Sequence, residues 1–134
     1  MTWKIYLLIM AGGALGSAAR YFCSGVAASL LGPTFPWGTI IINVVGSFLI
    51  GFFNTLTGPD GRLLTSAETR QFVMLGLFGG FTTFSSFSLQ TLTLMQNGEW
   101  GPASANVGAS VALCLFAVWL GHAAAAAVNQ LRGG

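Results

Sequence analysis

From Gly79 the chain reads Gly79-Gly80-Phe81-Thr82-Thr83-Phe84-Ser85-Ser86-Phe87, an uncharged run with glycines, hydroxyls and rings where a membrane helix would carry leucine. The chemistry open to such residues is ion handling rather than bond making. Hydroxyl and amide hydrogens can replace water around an anion, and the edge of a phenylalanine ring is positive, so an edge-on ring approaches an anion favourably. Neutral donors also release what they bind, whereas a fixed cation would hold an anion too tightly for throughput. At about 100° per residue, Ser86, Gln90, Thr83, Phe87, Thr91 and Phe84 fall on one arc of about 160° and form a single expected wall. Phe84 and Phe87 have a plainer reading too, as apolar bulk against lipid or core.

Other chemistries lack their residues. The carboxylates, Asp60, Glu68 and Glu99, fall in predicted loops or at helix ends, and there is no grouping of nucleophile, acid and base, so an enzyme is not expected. Cysteine, histidine and carboxylate do not cluster as metal ligands. A cation-coupled exporter would need a carboxylate inside a span, and none is there. The formal charge of +2 comes from scattered residues with no basic cluster, which argues against a nucleic-acid partner.

These groups need a membrane framework, and the composition supplies one. Of 134 residues, 54% are hydrophobic and 6% charged, with mean hydropathy +0.75. That pattern specifies an all-α membrane protein with a single transmembrane domain over 1–134 and spans near 4–31, 37–57, 67–97 and 102–130. The third helix is expected to break near Gly79–Thr83. Gly79-Gly80 costs roughly 2 kcal/mol of helix propensity, and Thr82-Thr83 offers hydroxyls that compete for backbone groups. Non-helical backbone survives at membrane depth only where protein buries it or it lines a wet cavity, and its freed carbonyls and amides then become ligands.

The remaining spans carry fewer signals. In the first, Gly12, Gly16 and Ala19 make a small-residue face that needs a close neighbour. Arg20 is either an interfacial or helix-packing anchor or a group that draws anions to a vestibule. Lys4, an apolar run and Ser17-Ala18-Ala19 resemble a cleavable signal, but the run outlasts one and Arg20 follows at once, so a retained span is expected. Thr39, Asn43 and Ser47 recur every four residues along the second span; Asn43 is either interhelical glue or a donor to a passing ion. Thr65 and Glu68 have capping-box spacing at the start of the third. In the fourth, Asn106, Ser110 and Cys114 form a weaker polar line, and His122 has no visible partner. Cys23 and Cys114 lie in apolar runs as packed thiols rather than as a disulfide.

The Gly79–Phe87 run resembles the hallmark of the Fluc fluoride channels, also labelled CrcB. Two further stretches agree: Gly12-Gly13-Ala14-Leu15-Gly16-Ser17-Ala18-Ala19-Arg20-Tyr21, and the segment from Phe35-Pro36-Trp37 through Asn43 to Gly46-Ser47-Phe48. The resemblance covers the first three spans in order, the fourth fitting in length and character. It implies an antiparallel, dual-topology homodimer in a prokaryotic inner membrane, with two fluoride pores and a structural central Na+. By motif position the Na+ would be held by the backbone carbonyls of Gly79 and Thr82. The fluoride pore would use Phe84, Phe87, Asn43, Thr83, Ser86 and Ser110, with Arg20 at a vestibule. Its partners would be fluoride, a second copy of the chain and membrane lipid. A proton-coupled fluoride transporter and a non-transporting scaffold are the alternatives. Two positions depart from the family pattern: Gln90 where a glutamate is frequent, and Cys114 in place of a hydroxyl. The basic residues add a conflict, because Lys4, Arg62, Arg70 and Arg132 share the termini's side and the positive-inside rule would fix that side in the cytoplasm. An antiparallel pair requires both orientations.

Overall fold

A computed structural model describes residues 2–133, and the described secondary structure is entirely helical. Helix α1 spans Trp3–Leu31 and α2 Trp37–Leu56. The third span is composite: α3 (Ala67–Arg70), a π-helical stretch (Gln71–Phe78), α4 (Gly79–Phe81) and, after two extended residues, α5 (Phe84–Gln96). Helix α6 covers Trp100–Gly133. Among the described residues, four helical spans are long and apolar enough to cross a membrane.

Local chemistry explains the boundaries. Helix α1 ends at Gly32, whose φ of 85° suits glycine and whose amide closes back on Ala28 O; Pro33 and Pro36 bar continuation until α2 starts. Gly98, at φ 76°, turns the chain between α5 and α6. The expected capping box is corrected by one residue. Ser66 is the N-cap of α3 and accepts from Thr69 N at 3.1 Å, while Thr65 Oγ1 is buried without a partner. With Ser66 as N-cap the third helical position is Thr69, so Glu68 is out of register for the box, and its carboxylate instead pairs with Lys4 of α1 at 3.2 Å.

The π-helical stretch is the main departure from the regular helix expected ahead of the break. A π turn, closed by i→i+5 bonds, holds more than four residues, so residues four apart drift backward around the axis where an α-helix carries them forward. Combining π with α turns keeps Phe72, Gly76 and Gly80 in a line against α1. A Cβ on Gly12 would meet Phe72 O at 2.7 Å, and one on Gly80 would meet Gly13 O at 2.7 Å. The small-residue face of α1 thus has its close neighbour, and the backbones touch without intervening side chains.

The packing pairs α1 with the π stretch and α4, α5 with α6, and α2 with α6. At the end of the bundle near the termini, loops and helix ends are tied by polar side chains. Arg70 donates to Asn54 Oδ1 at 2.7 Å and to Thr57 Oγ1, and Asn129 joins Thr55 O at 3.2 Å to the amide of Arg62 at 2.7 Å. His122 belongs to this set: its Nδ1 lies 2.7 Å from Thr55 Oγ1, so the sequence reading of a histidine without partner is corrected. The pairing needs a turn of α6 beside the end of α2, which no sequence spacing reports. Arg132, expected on the same side, lies outside the described side chains.

Candidate functional site

The break consists of Thr82 (φ −83°, ψ 160°) and Thr83 (φ −154°, ψ 117°), two extended residues between helices. Two helix termini therefore meet at mid-span, and each leaves backbone groups without intrahelical partners. Some of those groups are served from other helices. Asn43 of α2 clamps Thr83 on both sides, its Nδ2 donating to Thr83 O at 3.0 Å and its Oδ1 accepting from Thr83 N at 2.8 Å. Arg20 of α1 donates from Nε to Gly80 O at 3.2 Å, joined by Ser17 Oγ at 3.5 Å. Thr83 caps the second half, its Oγ1 accepting from Ser86 N at 3.1 Å.

The carbonyls of Gly79 and Thr82 are among those left over. Thr83 N is committed to Asn43 and Ser86 N to the Thr83 hydroxyl, so no described donor reaches the oxygens of Gly79 or Thr82. Carbonyl oxygens at a helix C-terminus carry the negative end of the macrodipole and are hard ligands, a donor set suited to an alkali cation rather than to zinc or copper. Gly46 of α2 makes room beside them: a Cβ there would lie 2.2 Å from Thr82 Cγ2.

Next to the break opens a cleft of about 370 Å³ whose lining includes Asn43, Ser47, Thr83, Phe84, Phe87, Ser110 and Cys114. Helices α2, α5 and α6 each contribute, so the polar lines of the second and fourth spans converge on the hallmark. The rings of Phe84 and Phe87 stand 5.2 Å apart, tilted by 58°. Phe87 is 8% exposed and Phe84 is 76% exposed, at the open side of the cleft.

The expected single wall divides. Gln90 lines a separate cleft beside Pro33, Pro36 and Glu99, and its Oε1 is buried without a partner. Thr91 turns to α6, where its hydroxyl donates to Phe87 O at 2.8 Å and accepts from Asn106 Nδ2 at 2.9 Å. Ser86 lies outside the cleft lining. An arc drawn on one helix cannot tell which part of it faces α6 and which faces the gap beside α2. Sequence reasoning also gave no role to Ser17 or Gly46. Ser17 stands three residues before Arg20 on the same face, a spacing that signals a shared target.

Cys23 and Cys114 are free thiols. The polar groups of the cleft are hydroxyls, an amide and a thiol, set beside the ring pair.

Comparison with known proteins agrees with this geometry. A family model described as "CrcB-like protein, Camphor Resistance (CrcB)" matches residues 7–122. The chain is 61% identical over 130 residues to a fluoride-specific ion channel FluC of Opitutus terrae, covering 97% of this chain and 98% of that one. It is 59% identical over 128 residues to the fluoride-specific ion channel FluC of Methylocella silvestris, covering 96% and 98%, and 58% identical over 125 residues to that of Rhodospirillum rubrum, covering 93% and 97%. With a broken third span, a ring pair beside it and matches along nearly its whole length, this chain belongs to the CrcB family of multi-pass membrane channels.

Proposed function

We propose that this protein is a passive, fluoride-selective channel of a prokaryotic inner membrane, releasing fluoride that enters as neutral HF and dissociates in the cytoplasm. The observation that carries the reading is the convergence of neutral donors and a tilted ring pair on one cleft beside a mid-membrane break. Fluoride is small and strongly hydrated, so a path lined by hydroxyls, an amide and ring edges replaces part of its water while adding no fixed charge to trap it. Phe84, Phe87, Asn43, Thr83 and Ser110 are assigned to this path. Ser86 is assigned to it through its position in the hallmark, and Arg20 to the electrostatics of the vestibule.

The channel acts as an antiparallel homodimer with two pores. Phe84 is 76% exposed beside the cleft, a surface that a second copy would cover. In the dimer, the Gly79 and Thr82 carbonyls of both subunits hold a structural Na+, whose charge compensates the helix C-termini gathered there.

Proteoliposomes loaded with fluoride and monitored with a fluoride electrode test the function. Rapid efflux with fluoride that fails with chloride is expected. A reversal potential that follows the fluoride gradient alone, unchanged by an imposed pH gradient, separates a channel from a proton-coupled transporter. Absence of efflux would leave a membrane scaffold.

A further inference from the structure

Behind the cleft wall runs a chain of hydrogen bonds whose direction is fixed. Thr91 Oγ1 gives its one proton to Phe87 O at 2.8 Å, so the Asn106 atom 2.9 Å from that oxygen must be the donor Nδ2. Asn106 Oδ1 then faces Ser110, whose hydroxyl donates to it at 3.4 Å. Asn106 is 0% exposed, and Ser110 is the donor that the structure supplies to its Oδ1.

A serine hydroxyl has one hydrogen, and Ser110 lines the cleft. While that hydrogen points at Asn106, Ser110 offers the cleft only lone pairs, which repel an anion. We propose that Asn106 is a positioning residue that sets the fluoride affinity of the path by competing for the Ser110 proton. An arriving fluoride must turn the O–H away from Asn106 and leave a buried amide oxygen without a donor, which discounts the binding it gains. The length of the Ser110 bond keeps that discount small enough for the hydroxyl to swing in either direction. The outcome is a site that binds and releases, as conduction requires.

This inference rests on the cleft being the fluoride path. Single-channel currents in planar bilayers, recorded against fluoride concentration, test it. Asn106→Leu removes the competing acceptor while keeping the branched shape, and the half-saturating fluoride concentration is expected to fall about fivefold, with a lower maximal current as release slows. In a Ser110→Ala background the same substitution should leave half-saturation unmoved. Damage to packing weakens binding and does not tighten it, so a fall in half-saturation reports the competition. Should Asn106→Leu not assemble, Asn106→Met, unbranched and adaptable, makes the same comparison. An unchanged or raised half-saturation in the assembled variant, or an equal fall in the Ser110→Ala background, overturns the role of Asn106. A wild-type protein that passes no fluoride overturns instead the reading of the cleft.

Discussion

Asn43 does two jobs in this structure, and a single substitution separates them. Its amide lines the cleft, yet one N–H and the carbonyl are spent on the backbone of Thr83, at 3.0 and 2.8 Å. In Asn43→Ala both bonds disappear. At about 1 kcal/mol net for each, the extended conformation of Thr83 loses about 2 kcal/mol relative to open alternatives. With about 1.4 kcal/mol per factor of ten, local opening becomes about 30-fold more frequent. Amide hydrogen exchange, resolved to Thr83 by mass spectrometry or NMR in detergent, reads that opening directly. Exchange at Thr83 should accelerate by about that factor while amides in α2 and α6 keep their protection, and fluoride efflux should fall in the same variant. A strong fall in efflux with Thr83 exchange within about threefold of wild type would refute the clamp argument and leave Asn43 as a direct ion donor alone.

Three further outcomes follow from the site geometry. Phe84→Ile and Phe87→Ile should each reduce fluoride efflux by about tenfold or more while the dimer survives size-exclusion chromatography, because ring edges are lost and apolar volume is largely kept; unchanged efflux in both returns the rings to packing. Gly46→Ala forces a methyl group against Thr82 Cγ2, so it should destabilise the assembly by about 1–3 kcal/mol in chemical unfolding, and Thr82→Ser, which removes that Cγ2, should recover part of the loss. Arg20→Gln removes a charge-assisted bond to Gly80 O of about 1.5–3 kcal/mol. It should lower the thermal midpoint in detergent as well as efflux, whereas a pure vestibule role would alter efflux alone.

The sequence reports composition and periodicity well, and partners across helices poorly. Apolar runs bounded by Gly32-Pro33, Gly58-Pro59 and Asn97-Gly98 delimit four spans, because lipid demands length and turns demand particular residues. The break is legible from Gly79-Gly80 and Thr82-Thr83 for the same local reasons. Beyond one helix the signal thins. That Asn43 would face Thr83, that Thr91 would turn to Asn106 and that His122 would meet Thr55 each depend on how two helices are rotated against one another. The π stretch was hidden as well. It answers to the approach of Gly76 and Gly80 to α1, a demand made by the neighbour and not by residues 71–78 themselves.

The interruption in the third segment is held from outside, by Arg20 and Ser17 of the first helix and Asn43 of the second. Order of synthesis therefore matters. Both helices that supply these bonds leave the ribosome ahead of the weak point, which can enter a slot already prepared for it and never has to sit bare in acyl chains. A circular permutant that delivers the third segment first would reverse that sequence, stranding peptide groups in lipid until their partners arrive, and should insert poorly even though the finished protein would be held together by the same bonds.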